Sequence, residues 1–267
     1  MSTPACIATV WLPLTPATSA HCADGAIRIQ RLLPAEQPLP RINLFDTIPT
    51  EWIRGSNPDL VARAAELWEA LPRPLAHLFN AVLWKADRFH RYVMVPSSLN
   101  NHHTDWNDNF RHSIEVAERA RDISVGTPLA NVPLLIAAGL LHDAGKADEY
   151  RFDEARCHLV LSERGELIGH RNTLIEWLGV ARDAGRVLMP ESLYLALLHT
   201  LSASKAPAWV GLRDPRCIEA EILSMADRMS GHEDLHAQCA PADGKAGFGR
   251  YHKHIGHRTY VTPRTAP

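Results

Sequence analysis

Apolar positions follow a three-and-four rhythm from residue 57 to about residue 231, and that rhythm predicts one helix after another. Asn57-Pro58 is an N-cap followed by proline at the first helical position, and Leu60, Ala64, Leu67, Trp68 and Leu71 then mark a buried stripe. Pro74 opens a second helix over about 74–91, with Leu75, Leu78, Phe79, Val82 and Leu83 on its apolar face. The polar stretch from Asn100 to Phe110 reads as a loop feeding a helix over 112–124. After Pro133, every residue from Leu134 to Leu141 is apolar or glycine, so the next helix should cross the centre of the core and stop at His142. Further helices are expected at about 170–184, 190–203 and 215–230, the last two opened by Pro190 and Pro215.

The flanks lack this rhythm. Residues 1–50 hold seven prolines and short β-prone pieces such as 26–30, which predicts an irregular arm or a β remnant. Residues 232–267 are rich in Gly, Lys, Arg and His and read as a loosely packed tail. The expected organisation is an arm (1–50), an all-α helical bundle (51–231) and a basic, His-rich tail (232–267).

Composition narrows the function classes. With 267 residues, 46% of them hydrophobic, the chain can bury a core, which excludes wholesale disorder. Its 28 Lys and Arg nearly balance 30 Asp and Glu, so any anionic partner must be held by a local patch. Five cysteines with no C-x-x-C pair indicate neither a zinc knuckle nor a disulfide framework, and they fit a reducing cytoplasm. The apolar stretch 6–14 has no basic lead and carries Pro13, so it is not read as an export signal. No apolar run reaches the roughly 20 residues that a bilayer requires, so no membrane partner is expected. Fifteen histidines are an excess, and His is both the commonest metal ligand and the usual acid/base group near neutrality.

The central apolar helix ends in His142-Asp143, which places a carboxylate at the margin of a core where ionisation needs a compensating partner. A helix cap would supply one; so would a divalent cation, for which imidazole and carboxylate are both good ligands. Gly145-Lys146 follow at once, a turn with a cation just beyond, and an ammonium beside a metal suits phosphate. His112 opens the preceding helix. Asp227 lies opposite a stripe of Ile218, Ile222, Met225 and Met229 but beside Ala220 and Leu223, so both sides of its helix read as buried.

In these residues the sequence resembles the HD phosphohydrolase superfamily, whose pattern of His, His-Asp and distant Asp is matched by His112, His142, Asp143 and Asp227. The resemblance implies an all-α HD bundle in which these four hold a first transition metal, Asp143 bridges to a second, and Asp143 and Lys146 serve catalysis. Binuclear branches add two histidines, and His170 and His199 arrive in the right order. The implied metal is Mn²⁺, with Fe, Ni, Co or Mg as alternatives, in one tight site and one weak one. A narrower resemblance, covering about residues 26–231, is to the HD region of bacterial 3′→5′ exoribonucleases with an OB-fold ahead of it, and of relaxase-type proteins of conjugative elements. It rests on Asn101-His102-His103, Arg111-His112-Ser113, the His142-Asp143 turn, Ile168-Gly169-His170 and Ala220 to Asp227. It puts His102, His103, Arg111 and Lys146 beside the substrate, while His102 and His103 equally suit loop histidines whose bonds are satisfied locally. The chain departs from that branch at Asn107–Phe110, where Gly-Gly is usual, and at Ser202–Lys205, where histidines are usual. Some fifty N-terminal residues are too few for an OB-fold of five strands.

Other residues carry two readings each. Lys245, Phe248, Arg250, Tyr251, Lys253, Arg258 and Tyr260 interleave cations with aromatics as single-strand-binding surfaces do, and they equally suit a solvated tail. Glu115 could orient His112, Glu118 fits a solvated face, and Trp68, Trp84 and Trp177 read as core. The expected activity is hydrolysis of phosphodiesters by a metal-activated hydroxide, as a 3′→5′ exonuclease on single-stranded RNA or DNA. The alternatives are a nucleotide phosphohydrolase and a non-catalytic accessory protein of a mobile element.

Overall fold

The computed structural model describes residues 37–54, 59–99, 105–155, 157–206, 211–242 and 244–263. The expected β-prone piece at 26–30 lies outside them. The described body is all-α. Its helices are α1 (Asp59–Glu69), α2 (Arg73–Leu83), α3 (Ala86–Met94), α4 (Asp108–Ser124), α5 (Val132–Leu141), the short α6 (Lys146–Glu149), α7 (Glu163–Leu167), α8 (Gly169–Ala184), α9 (Glu191–Ser202) and α10 (Ile218–Cys239). Two antiparallel hairpins accompany them: β1 (Tyr150–Asp153) with β2 (His158–Leu161), and β3 (Gly247–His252) with β4 (His257–Val261). No helix among the described residues is long and apolar enough to cross a membrane.

Helix α5 is the axis of the core. Every residue from Leu134 to Leu141 is buried, as a helix apolar on all sides must be. Asn131 caps it by accepting from the Leu134 amide at 3.2 Å, and the Asn131 amide donates to Glu219 of α10 at 2.8 Å. Helix α4 crosses α5 closely because of Gly139. A Cβ at that position would lie 2.5 Å from the Ala117 Cα, so only glycine permits the approach. Tyr92 of α3 is fully buried and donates to the Leu140 carbonyl at 2.8 Å, tying a third helix to the end of α5.

Three features depart from the sequence pattern. The helix expected over 74–91 breaks at Trp84–Lys85, where Lys85 is extended and Arg88 donates to the freed Val82 carbonyl at 2.6 Å. No glycine or proline marks this break. Leu44 and Phe45, in the segment read as an arm, join the core, with the Phe45 ring 5.3 Å from Phe79 and 5.6 Å from Phe110. In the segment read as a loosely packed tail, α10 continues to Cys239 and the β3–β4 hairpin docks on its end, with Gly249 and Thr259 buried. Trp68 and Trp177 are buried as expected, and Trp84 is half-buried.

Candidate metal centre

The close crossing of α4 on α5 sets His112, one turn into α4, beside His142 at the end of α5, with ring centroids 5.2 Å apart. Asp227 comes to them from the middle of α10, and one ligand atom from each of the three lies within 4.8 Å of the others. The His112 Nε2 is 3.3 Å from the His142 Nε2 and 3.1 Å from the Asp227 Oδ1. Asp143 Oδ2 lies 3.7 Å from His112 Nε2 and 3.5 Å from His142 Nε2.

The far nitrogens of both rings are engaged, and their partners fix the tautomers. His142 Nδ1 faces the Gly139 carbonyl at 2.7 Å, which can only accept, so Nδ1 carries the proton. His112 Nδ1 faces Ser230 Oγ at 3.1 Å, and that hydroxyl donates to Glu115 at 3.0 Å, so it accepts from His112. Both Nε2 atoms are thereby left as acceptors, pointed at one another and at carboxylates. Acceptors so disposed require a cation or proton among them. Metal bonds of about 2.1 Å set neighbouring ligand atoms about 3.0–3.4 Å apart, and the pairs here run from 3.1 to 3.8 Å, so an ion would need them to draw in by a few tenths of an ångström. The residues present therefore fit a divalent transition metal, with His112, His142 and Asp227 as ligands and Asp143 able to complete the set.

Charge agrees with this. Burial alone would raise the Asp143 pKa, yet Lys146 and the imidazoles of His142, His170 and His112 hold it well below the usual carboxylate range. Burial would likewise raise Asp227, and a proton on His112 Nε2 shared with its Oδ1 in the metal-free site, together with the nearby His142, reverses that. Burial lowers His142 against the pull of Asp143 and Asp227, which keeps the imidazole neutral, the form that binds metals.

Asp143 faces two ways. Oδ2 accepts from Lys146 Nζ at 2.6 Å, on the side of His112 and His142, while Oδ1 lies 3.3 Å from His170 Nε2. His170 is aimed by Glu149, whose carboxylate accepts from Nδ1 at 3.0 Å. The approach depends on Gly145, where a Cβ would sit 2.0 Å from the His170 carbonyl oxygen.

Of the remaining expected residues, His199 is not drawn to this group. Its Nε2 accepts the Arg216 amide at 2.9 Å, and α9 buries Tyr194, Leu197, Thr200 and Leu201 while Leu195 of the face expected to point inward stands exposed. Arg111 is held by an ion pair with Asp108 in its own helix. His102 and His103 lie outside the described residues. Glu115 reaches His112 through Ser230, and Glu118 binds Arg63 rather than facing solvent alone. Of the stripe opposite Asp227 only Ile222 is covered, because Ile218, Met225 and Met229 are exposed, whereas Ala220 and Leu223 on the Asp227 side are buried as expected. Ser230 and Glu149 were not singled out in the sequence. Ser230 follows Asp227 by three positions and so shares its helix face, a signal that could have found it; Glu149 carries no comparable mark.

Residues 109–231 match the family model described as HD domain. Among curated proteins, the 3′-5′ exoribonuclease YhaM of Bacillus subtilis (strain 168) is 25% identical over 198 residues, 74% of this chain and 56% of that protein. The 3′-5′ exoribonuclease YhaM of Bacillus licheniformis is 23% identical over 192 residues, 72% of this chain and 54% of that protein. The chain thus spans about half the length of the curated relatives it matches. No solved structure matches it at a significant level.

Proposed function

We propose that the protein is a metal-dependent phosphodiester hydrolase, a 3′→5′ exonuclease on single-stranded nucleic acid, a reading supported by the match of residues 109–231 to the HD domain family model. The observation that carries the reading is the pair of Nε2 atoms at 3.3 Å, each with its far nitrogen engaged, facing Asp227 and Asp143. The names of the two relatives favour RNA over DNA.

His112, His142, Asp143 and Asp227 would hold the first ion, with Mn²⁺ the ion we favour, and Asp143 with His170 would hold a second, more weakly. A divalent cation there supplies Lewis acidity toward a phosphoryl oxygen and lowers the pKa of water. The chain's own groups do the rest. Lys146, only 12% exposed, carries its charge beside Asp143 and can share it with a phosphoryl oxygen, where low dielectric makes that charge count. Ser230 and Gly139 fix the two imidazoles, so no reorganisation is needed when substrate arrives. His170, aimed by Glu149 through Nδ1, presents Nε2 toward Asp143 Oδ1, where it would serve that second, weaker site.

The test is incubation of protein loaded with Mn²⁺, Fe²⁺, Ni²⁺, Co²⁺ or Mg²⁺ with 5′-labelled single-stranded RNA, single-stranded DNA and a nucleotide panel. Mononucleotides released stepwise from the 3′ end are expected. Turnover of free nucleotides with strands left intact would make it a nucleotide phosphohydrolase, and no turnover with tightly held metal would make it an accessory protein.

A further inference from the structure

The described tail carries a charge that the whole chain does not. Residues 244–263 contain Lys245, Arg250, Lys253 and Arg258 and no Asp or Glu, in a chain whose formal net charge is −2. This segment is the β3–β4 hairpin, and its two faces differ. Gly249 and Thr259 point to the end of α10. A Cβ at 249 would lie 1.8 Å from the Cys239 carbonyl oxygen, and the Thr259 hydroxyl donates to that oxygen at 3.3 Å. Arg250 adds a bond to the Gln238 carbonyl at 2.8 Å. The hairpin is thus pinned through its inner face.

The outer face is aromatic. Phe248 pairs across the strands with Tyr260 and Tyr251 with Arg258, and alternation from buried Thr259 puts all four on the side away from the helix. Phe248, Tyr251 and Tyr260 are 62%, 63% and 51% exposed, an unusual display of three rings on a two-stranded sheet. Phe248 and Tyr260 meet edge to face at 5.0 Å, and the Arg258 guanidinium lies 5.3 Å from the Phe248 ring while bonding the Gly249 carbonyl at 2.9 Å. A shallow, open depression beside them is lined by Gln238, Pro241, Phe248, Arg250 and Arg258, where the hairpin meets the end of α10.

Exposed rings that accept stacking, cations close to them, and a backbone pinned in advance are together what a single strand needs. We infer that the β3–β4 hairpin is a binding platform for single-stranded RNA, its bases stacking on Phe248, Tyr251 and Tyr260 and its phosphates near Arg250, Lys253 and Arg258. The choice of RNA rests on the function proposed above. Helix α10 links the platform to the metal centre, since Asp227 precedes Cys239 by twelve residues, or about 18 Å of helix. At about 3.4 Å per stacked nucleotide, a strand of roughly five or more nucleotides is needed to touch both.

The test is fluorescence anisotropy of the full chain with a labelled 12-nucleotide oligouridine RNA in EDTA, where no cleavage occurs. Wild type is compared with F248L/Y251L/Y260L, which keeps apolar bulk and removes the rings. The variant is expected to bind at least tenfold more weakly, and Lys253→Gln should reduce the salt slope of log affinity by about 0.7. In cleavage assays, KM for the 12-mer should rise with kcat unchanged, while a trinucleotide is cut as by wild type. If melting shows the triple variant unfolded, Tyr251→Leu, outside the Phe248–Tyr260 pair, becomes the readout, with a loss of at least threefold. Unchanged affinity in a folded variant overturns the platform, and tighter binding of the matching DNA overturns the assignment to RNA. A protein that binds the RNA through these rings yet cuts nothing overturns the proposed activity and leaves the platform standing.

Discussion

Replacing Gly145 with alanine tests whether the start of α8 presses on the His142–Lys146 turn. Gly145 has φ −62° and ψ −17°, so its backbone accommodates any residue and the glycine serves space alone. The added Cβ would lie 2.0 Å from the His170 carbonyl oxygen and 2.8 Å from its carbon, both backbone atoms. Ordinary contact begins at 3.4 Å, so α8 must retreat by about 1.4 Å. Overpacking of that size costs about 1–3 kcal/mol of stability. The same retreat stretches the 3.3 Å approach of His170 to Asp143, and a misplacement of about 1 Å can cost about 100-fold in rate. The expected result in urea unfolding, Mn²⁺ titration and strand cleavage is a modest stability loss, retention of the tight metal and an activity loss of about 100-fold. Gly179→Ala in the same helix is the control: its Cβ would meet nothing nearer than the Tyr194 hydroxyl at 3.9 Å, so it should stabilise by about 0.5–1 kcal/mol. Wild-type stability and activity in Gly145→Ala would refute the close approach on which the position of His170 depends.

Asp143→Ala should abolish hydrolysis and lower metal content with the helical circular dichroism retained; full metal retention would show that Asp143 is no ligand. Ser230→Ala strips the partner from His112 Nδ1 and from Glu115, and should weaken the tight metal by about 10–100-fold in calorimetry. His170→Ala should remove the rise of activity with Mn²⁺ beyond one equivalent. His199→Ala should leave that rise intact and cost only about 1 kcal/mol through the Arg216 amide, so a flattened rise there would place His199 at the second ion. In metal-free protein the depressed Asp143 pKa adds stability that is present above the unfolded value of about 3.9 and is lost as pH falls through the lower folded value. Acid unfolding should therefore steepen below about pH 4, and Asp143→Asn should remove that component; an unchanged profile would contradict it.

The centre was legible where burial makes a local demand. A run of apolar residues ending in His142-Asp143 announces polar groups at a core margin, and neither can be left there without a partner. Prolines at helix starts and the spacing of Leu and Ala fixed where α1, α5, α8 and α9 lie to within a few residues. The rest depends on which surface meets which, and period alone does not carry that. The break at Lys85, the exposure of Leu195, Met225 and Met229, and the inclusion of Phe45 in the core are choices between faces of similar polarity. They are settled only when distant elements compete to cover them. Gly139 and Gly145 look like ordinary glycines until Ala117 and His170 arrive against them. Likewise, Ser230 and Glu149 become partners of histidines, and Arg216 takes His199 away, through contacts between residues far apart in the chain. The sequence by itself determined which donor types the chain offers, because donor type is a property of each residue; the tertiary structure decided which donors meet, because hydrogen-bond geometry is set by the crossing of whole helices to within tenths of an ångström.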